Sequence, residues 1–209
     1  MPTEIYHITH VNNLSSIIKS SGLTANSILK RQSQTYQNIA HQTIQDRRAI
    51  TPVPCGQKGT LHDYIPFYFA PRSPMLYAIN QKQVQGYTQG QKPIIYLVTT
   101  AETIKNASIP FVFTDGHGIM AYSLFYDDLK DLNTAIDWNV MKSKMWNDTS
   151  QDPDRKRRRQ AEFLVYQHCP WHLINSIAVI DSAIAQQVNQ ILQAHSHAIP
   201  VNICRSWYY

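Results

Sequence analysis

The chain has 209 residues, of which 43% are hydrophobic, 11% are aromatic and 16% are charged. Disordered and coiled-coil proteins carry fewer apolar and more charged residues, so this composition predicts a globular protein with a buried core. Nineteen Lys and Arg against 14 Asp and Glu give a net charge of +5, which favours a polyanionic partner without requiring one. We expect a single domain over residues 1–209.

Several common site signatures are absent from the sequence. Its seven glycines form neither G-x-G-x-x-G nor G-x-x-x-x-G-K-[ST], which excludes a dinucleotide fingerprint and a Walker loop. The three cysteines form no C-x-x-C, which indicates a reducing compartment. His168, Cys169 and His172 are spaced like metal ligands, but Pro170 prevents the two histidines from sharing a helical face. We therefore expect no metal site.

The N-terminal residues carry no signal-peptide pattern, and no apolar run approaches the length of about 18 residues that spans a bilayer. We expect a cytoplasmic protein that does not contact membranes.

The first strand is predicted at residues 5–8 and leads directly into a short helix. Asn12 or Asn13 can cap this helix, which is predicted to end at Gly22. The glutamine-rich residues 26–49 predict one irregular helix or a partly mobile segment.

The middle of the chain contains three predicted strands. Residues 64–69 favour a strand that Pro66 restricts to a sheet edge or to a strand start. A helical turn at residues 75–79 follows, and then strands at residues 93–98 and 111–113.

The last third of the chain mixes helices and strands. Apolar residues at helical spacing predict a helix over residues 127–146. Strands are predicted at residues 161–166, 177–180 and 201–207, and Asp181 begins a helix between the last two. Since this order lacks a regular strand–helix alternation, we expect an α+β fold.

Glu162 is the strongest candidate for chemistry. On a strand its side chain shares a face with Leu164 and Tyr166, so a carboxylate lies at the end of an apolar and aromatic face. It also follows the basic run of residues 155–159. Carboxylates are rare inside a core, so this residue is either functional or paired with neighbouring arginines, and the pattern leaves both open.

A second polar cluster lies at the first strand. His7 and Thr9 point to one side of it, and His10 lies at the strand-to-helix turn, where a helix N-terminus can receive a phosphate or an amide. A histidine on a strand can equally be a hydrogen-bonded core residue.

Six segments resemble the DarT family, the DNA ADP-ribosyltransferase toxins of bacterial toxin–antitoxin systems. The matching segments are residues 5–10, 46–48, 61–69, 71–77, 111–118 and 160–165. The resemblance implies an ADP-ribosyltransferase-like fold with a split β core and peripheral helices. It implies transfer of ADP-ribose from NAD onto a thymine base, at N3, in single-stranded DNA. It further implies a macrodomain antitoxin of the DarG type as partner; we expect a monomer.

The resemblance also implies roles for individual residues. Glu162 corresponds to the family's catalytic glutamate, Arg48 to its essential arginine and His117 to its active-site histidine. The positions that match NAD-binding residues are His7, Ile8, Thr9, Ser16, Thr24 and Arg48. Tyr68 can stack on the nicotinamide ring or can simply belong to an aromatic strand.

The chemistry of the reaction is consistent with these residue types. Cleavage between nicotinamide and ribose generates positive charge on the ribose, which a carboxylate such as Glu162 stabilises. The thymine N3 proton must also leave. Because arginine keeps its proton, we expect Arg48 to stabilise the deprotonated base while His117 or water accepts the proton.

The basic run consists of Arg155, Lys156, Arg157, Arg158 and Arg159. Its position before Glu162 favours contact with DNA phosphates, and the alternative is a solvated charge run. Candidate aromatic platforms for unstacked bases are Tyr64, Tyr68, Trp138, Trp146 and Tyr166. The remaining functional alternatives are transfer to guanine, RNA or protein, or a silent nucleic-acid-binding module.

Overall fold

The computed structural model describes residues 2–209 as strands and helices around a mixed sheet. The strands are β1 (Glu4–His10), β2 (Gly22–Thr24), β3 (Tyr64–Tyr68), β4 (Ile94–Thr100), β5 (Phe111–Thr114), β6 (Phe125–Tyr126), β7 (Glu162–Tyr166), β8 (His168–Pro170), β9 (Ser176–Val179) and β10 (Val201–Ile203). The helices are α1 (Leu14–Lys19), α2 (Asn26–Arg31), α3 (Gln42–Ile50), α4 (Pro74–Asn80), α5 (Ala101–Asn106), α6 (Leu132–Ala135), α7 (Trp138–Lys142), α8 (Arg155–Arg158) and α9 (Ser182–Ala194).

The main sheet has eight strands in the order β10-β9-β4-β1-β3-β7-β5-β6. Its neighbours pair antiparallel except β9 with β10, and β2 pairs with β8 in a separate two-stranded sheet. The α+β class expected from the sequence is confirmed. No helix within residues 2–209 is long and apolar enough to cross a membrane.

The main sheet is split between β1 and β3. β1 pairs with β4 through seven residue pairs, and β3 pairs with β7 through five. Between β1 and β3 the register contains the single pair Tyr6↔Tyr68. Beyond that pair the two strands separate and a cavity opens, so the expected split β core is confirmed.

Pro66 lies in an interior strand, which corrects the expectation of a sheet edge. Its carbonyl oxygen accepts a hydrogen bond from His7 Nδ1 at 2.8 Å, so this side of Pro66 faces β1. In a strand the N–H and C=O of one residue point the same way, so the missing N–H of proline also faces β1. The sheet tolerates Pro66 because the β1–β3 ladder has already ended there.

Residues 127–146 do not form the single predicted helix. Ile136 is extended, with φ of −89° and ψ of 127°, and it separates α6 from α7. The Asp137 side chain then accepts hydrogen bonds from the backbone N–H groups of Asn139 and Val140, which begins α7 anew. The apolar spacing survives because Leu132 of α6, Ile136 between the helices and Val140 of α7 are all buried.

The polar segment at residues 26–49 folds as two helices, α2 and α3, instead of one irregular helix. The predicted short helix is α1, which ends before Gly22. Gly22 begins β2, where a Cβ would lie 2.9 Å from Pro170 Cα, so the close approach of β8 requires glycine. The predicted strand at residues 201–207 is shorter, because only β10 is extended.

The strands that surround the split belong to the buried core. All residues from Ile94 to Thr99 of β4 are buried, as expected of a strand packed on both faces. A second, smaller apolar cluster includes Leu61, Tyr64 and Leu164 and lies beside the first residue of β7. The side chain of that residue, Glu162, is therefore held in one direction by the elements packed around it.

Candidate active site

A cavity of about 670 Å³ opens at the split in the sheet. Its walls come from β1, β3, α1, α2, α3 and α4, and from the irregular residues 34–40, which we call the strap. This volume lies within the range of small-molecule binding sites. The candidate site residues that line it are His7, Ile8, Thr9, Ser16, Thr24, Arg48, Tyr68, His117 and Glu162.

Glu162 and Arg48 form a buried ion pair at this cavity. Arg48 Nη1 lies 2.8 Å from Glu162 Oε1 and 3.0 Å from Oε2, and both side chains are 6% exposed. Arg48 Nη2 also donates to the Leu61 carbonyl oxygen at 3.5 Å. Removing one member of such a pair would leave the other charge buried without a partner. The expected alternative pairing of Glu162 with the neighbouring basic run does not occur.

Glu162 is held at its backbone and closely covered at its carboxylate. Its backbone N–H donates to Thr114 Oγ1 at 3.1 Å, and the Thr114 hydroxyl donates to the Gly116 carbonyl oxygen at 2.6 Å. A Cβ at Gly118 would lie 2.9 Å from Glu162 Oε2. Gly118 therefore allows the backbone after β5 to cover the carboxylate closely.

His117 lies between these two glycines. Its Nδ1 accepts a hydrogen bond from the Ile119 N–H at 3.4 Å, and its Nε2 has no hydrogen-bond partner among residues 2–209. Burial lowers the pKa of His117, and the cationic Arg48 and Arg47 lower it further, whereas Glu162 raises it. The imidazole is therefore neutral at pH 7, and with Nδ1 as acceptor its proton lies on Nε2.

His7 is held in one orientation at the split. Its Nδ1–H donates to the Pro66 carbonyl oxygen at 2.8 Å, which leaves Nε2 as an acceptor. Burial lowers the pKa of His7 to about 4, partly offset by this hydrogen bond. His7 therefore offers a neutral ring to whatever occupies the cavity.

Asn13 links the strap to β1 through its side chain. The Gln37 N–H donates to Asn13 Oδ1 at 2.8 Å, and Asn13 Nδ2 donates to the Gln37 carbonyl oxygen at 3.0 Å and to Thr9 Oγ1 at 3.1 Å. The sequence suggested Asn13 as a helix cap, but its side chain makes no capping hydrogen bond. Its role was missed because Gln37 lies 24 residues away, inside a segment without a periodic pattern.

Ser16 lies beside the same asparagine, and its hydroxyl donates to the Asn13 carbonyl oxygen at 2.8 Å. Tyr68 lies deeper in the cavity, where its hydroxyl donates to Met75 Sδ at 3.5 Å. Burial and the nearby Glu162 raise the pKa of Tyr68, so its phenol is neutral. Tyr68 thus belongs to the aromatic strand and also lines the cavity.

Four of the five cations of the basic run are engaged by protein partners, and their contact with DNA phosphates stays a prediction. Arg159 is 5% exposed and donates to the Val140 carbonyl oxygen at 3.0 Å and the Pro71 carbonyl oxygen at 2.6 Å. Arg158 forms ion pairs with Asp137 and Asp152. These two arginines tie α8 to the rest of the fold.

Arg155 and Arg157 are also engaged. Arg155 donates to the Met145 carbonyl oxygen at 2.6 Å, and Arg157 pairs with Asp115 at 2.9 Å. Lys156 is exposed and lines the cavity, and its ammonium has no ion pair or hydrogen bond among the residues that the structure describes. Of the run, Lys156 is therefore the residue placed to meet a ligand.

The aromatic candidates also divide. Trp146 lines the cavity, and its indole N–H donates to the Tyr209 hydroxyl at 3.0 Å. Tyr64 lines it too, although it is 2% exposed. Trp138 packs against Phe69 with ring centroids 5.9 Å apart, away from the cavity lining. Tyr166 packs edge-on against Tyr64 and does not line the cavity.

Comparison with known proteins gives consistent results along the chain. A family model described as "ssDNA thymidine ADP-ribosyltransferase, DarT" matches residues 6–209. A DNA ADP-ribosyl transferase of Thermus aquaticus is 45% identical over 211 residues, covering 100% of this chain and 90% of the relative.

Solved structures show the same similarity. Thermus sp. 2.9 DarT in complex with ADP-ribosylated ssDNA superposes with a TM-score of 0.93 at 41% identity, covering 100% of this chain and 97% of the other. The same protein in complex with NAD+ gives a TM-score of 0.90 at 38% identity, covering 100% of this chain and 98% of the other.

A more distant relative is a DNA ADP-ribosyl transferase-DNA ADP-ribosyl glycohydrolase fusion protein of Thermosipho africanus. It is 25% identical over 200 residues, which are 95% of this chain and 47% of the fusion.

Proposed function

Since this chain belongs to the DarT family of single-stranded DNA thymidine ADP-ribosyltransferases, we propose that it transfers ADP-ribose from NAD onto thymine N3. Glu162, Arg48 and His117 carry the chemistry. The observation that carries this proposal is the buried Arg48–Glu162 pair at a cavity that the candidate NAD residues line together. Residues 1–209 act as one catalytic domain.

NAD occupies the cavity at the split sheet. His7, Ile8 and Thr9 of β1 line it, as do Ser16, Thr24 and the strap. Without a glycine-rich phosphate loop, hydrogen-bonding side chains and the strand backbone take over the binding of the dinucleotide. The NAD+ complex of the Thermus relative supports this use of the cavity.

In the first part of the reaction the bond between ribose C1′ and the nicotinamide nitrogen breaks. Nicotinamide leaves as a neutral molecule with the bonding electrons, and positive charge develops on the ribose. Glu162 stabilises that charge from a position that is already set, since Thr114 holds its backbone and Arg48 holds its carboxylate. Tyr68 lies beside it and packs against the leaving ring.

In the second part thymine N3 forms a bond to C1′ and loses its proton. Arg48 stabilises the negative charge that develops on the base. His117 carries its proton on Nε2, so it donates a hydrogen bond to a thymine oxygen, and water takes the N3 proton. The sequence left His117 and water open as acceptors of the N3 proton. Because Nδ1 of His117 already accepts a hydrogen bond and Nε2 carries a proton, we favour water.

The DNA strand approaches past Lys156. A thymine inside a duplex has N3 engaged in base pairing, so the single strand is the substrate. Lys156 contacts a backbone phosphate, which supplies affinity independent of base sequence. The complex of the Thermus relative with ADP-ribosylated ssDNA supports single-stranded DNA as the substrate.

The protein partner is a macrodomain antitoxin of the DarG type, which reverses the modification. The Thermosipho africanus fusion of a transferase with a glycohydrolase supports such a pairing. The reaction takes place in the cytoplasm, where both NAD and DNA are present. The three free cysteines are consistent with a reducing compartment.

The test is mass spectrometry of single-stranded oligonucleotides incubated with the protein and NAD. Strands that contain thymine gain one ADP-ribose, and strands that lack thymine gain none. The same sequences as RNA or annealed into duplexes serve as controls and remain unmodified. A mass gain on guanine-containing strands without thymine, or on RNA, would overturn the proposed acceptor.

A further inference from the structure

One arginine of α8 holds the loop that carries His117. This loop, residues 115–123, connects β5 to β6 and covers the carboxylate of Glu162. It contains no regular secondary structure, so its conformation depends on contacts with its neighbours. Arg157 takes part in three of the hydrogen bonds that hold the loop, and Arg47 Nη2 donates another to the Ile119 carbonyl oxygen at 3.1 Å.

The side chain of Arg157 forms hydrogen bonds with both ends of the His117 loop. Its Nη1 donates to Asp115 Oδ1 at 2.9 Å and to Ser123 Oγ at 3.4 Å. Its Nε and Nη2 donate to the two carboxylate oxygens of Asp154 at 2.8 and 2.7 Å. Because the two donors engage both oxygens, this fork fixes the direction of the guanidinium.

The backbone of Arg157 reaches the loop as well. Its carbonyl oxygen accepts a hydrogen bond from the His117 N–H at 3.2 Å. A Cβ at Gly116 would lie 2.9 Å from Arg157 Cγ, so the loop can lie flat on the arginine because residue 116 is glycine. The Ser123 hydroxyl, which Arg157 contacts, in turn donates to the His117 carbonyl oxygen at 2.8 Å.

We propose that Arg157 is a positioning residue, which sets the location of His117 relative to Arg48 and Glu162 for transfer to the base. α8 leads within a few residues into β7, so one short segment places both His117 and Glu162. The side chain of Arg157 is 12% exposed and its donors are occupied, so it does not serve DNA phosphates. This inference rests on the proposed function of His117.

The first experiment compares Arg157→Gln with Arg158→Gln. Both remove one paired cation from α8, but Arg158 binds Asp137 and Asp152 and does not contact the His117 loop. Displacing a catalytic group by about 1 Å can cost about a hundredfold in rate, so we expect Arg157→Gln to lower kcat for transfer by that order. The KM for NAD should change little. Arg158→Gln should lose thermal stability and keep its kcat.

The second measurement follows His117 itself by an NMR titration of its ring protons. The charged groups that face this ring are Glu162 on β7 and Arg47 and Arg48 on α3, and these are unchanged in every variant. Release of the loop admits water to the ring, so the pKa of His117 should rise toward its ordinary value in Arg157→Gln. A loss of global stability alone would not change the pKa of His117, so Arg158→Gln is the control for this measurement.

Gly116→Ala perturbs the same contact from the other side and retains Arg157. We expect it to reproduce the lowered kcat and the altered His117 titration, and it keeps the inference testable if Arg157→Gln does not fold. Arg157→Lys should restore part of the rate through one ion pair.

Three results would overturn the inference. One is full transfer activity in a folded Arg157→Gln protein, and another is an unchanged His117 titration in that variant. The third is a fall of about 0.7 in the slope of log DNA affinity against log salt, which would instead assign Arg157 to a phosphate. If the wild type modifies no DNA, the proposed function fails, and the titration still reports whether Arg157 places His117.

Discussion

Tyr68 lies directly opposite Glu162 in the antiparallel pairing of β3 with β7. Side chains of a directly opposed pair point to the same face of a sheet, so the phenol ring and the carboxylate lie next to each other. The Arg48 guanidinium contacts that carboxylate from α3. An aromatic surface, an anion and a cation therefore meet at one point of the cavity, where a positively charged pyridinium and an incoming base can both be recognised.

Replacing Glu162 with glutamine should abolish transfer, because the neutral amide cannot stabilise the charge that develops on ribose. The substitution should also lower the free energy of unfolding by about 3 kcal/mol, since Arg48 would remain buried without its anion. Chemical denaturation and an oligonucleotide transfer assay measure the two effects. Adding Arg48→Met to Glu162→Gln should recover part of the stability and none of the activity. Transfer above about a tenth of the wild-type rate would mean that Glu162 is not the catalytic carboxylate.

Arg48→Lys should be nearly as damaging to transfer as Arg48→Ala. A lysine ammonium can approach one oxygen of Glu162, but it lacks the planar donors that also reach the Leu61 carbonyl oxygen and a base. NAD hydrolysis measured without DNA should survive better than transfer if Arg48 serves the acceptor, as we propose. Equal loss of both activities would place Arg48 in NAD binding. Arg31→Lys, at an exposed position of α2 outside the cavity lining, is the control.

His117→Gln should retain much more transfer activity than His117→Ala. The amide of glutamine can place an N–H near the position of Nε2, so it can still donate a hydrogen bond to the thymine oxygen. A general base cannot be replaced in this way. Equal loss in the two variants would therefore assign the N3 proton to His117 instead of water. Initial rates at saturating NAD make the comparison.

The stability of the protein should depend on pH through His7. Its pKa of about 4 in the folded state lies below the value of 6.5 expected in the unfolded chain, so the folded state favours the neutral ring. The stability that this provides is fully present above about pH 6.5 and is lost as pH falls toward about 4, with a magnitude of roughly 3 kcal/mol. His7→Asn keeps a donor for the Pro66 carbonyl oxygen and removes the titration. Denaturation midpoints of the two proteins should converge on acidification; parallel curves would exclude His7 as the source.

Asn13→Ala should loosen the strap and raise the KM for NAD by about tenfold, with a smaller effect on kcat, since the hydrogen bonds that it removes act on binding. The strap should also become a site of limited proteolysis between residues 32 and 41. Asn12→Ala, at the exposed neighbouring position, provides the matched control. Protection of the strap equal to that of the wild type would assign its order to other contacts.

The strands around the site could be predicted from local pattern, because their apolar runs reflect burial that each strand carries in its own residues. β4, β5, β7 and β9 lie where the sequence placed them, within a few residues. The predicted helix at residues 127–146 was wrong because the capping of α7 by Asp137 outweighs a continuous apolar spacing. Spacing records which residues are buried, and it does not record whether the backbone between them is continuous.

The candidate site was less accessible to local reasoning. Arg48 and Glu162 are separated by 114 residues, and no pattern around Arg48 distinguishes it from Arg47. Their pairing depends on the packing of α3 against β7 and was not predicted; the resemblance to a family implied only that both residues belong to one active site. The position of the basic run before Glu162 predicted a nucleic-acid contact. The structure adds that Arg157, Arg158 and Arg159 bind carboxylates and carbonyl oxygens from distant segments, which the local sequence could not indicate.

The separation of β1 from β3 exposes main-chain groups as well as side chains. After Tyr6, every second residue of β1 directs its N–H and C=O toward a neighbour strand that is no longer there. A ligand in the cavity can complete that interrupted ladder, which gives a physical reason for the predicted role of Ile8, an apolar residue, in cofactor binding. No side-chain substitution removes such groups. Recognition at this edge is therefore encoded in the path of the backbone, and it persists through changes of sequence that keep the two strands apart.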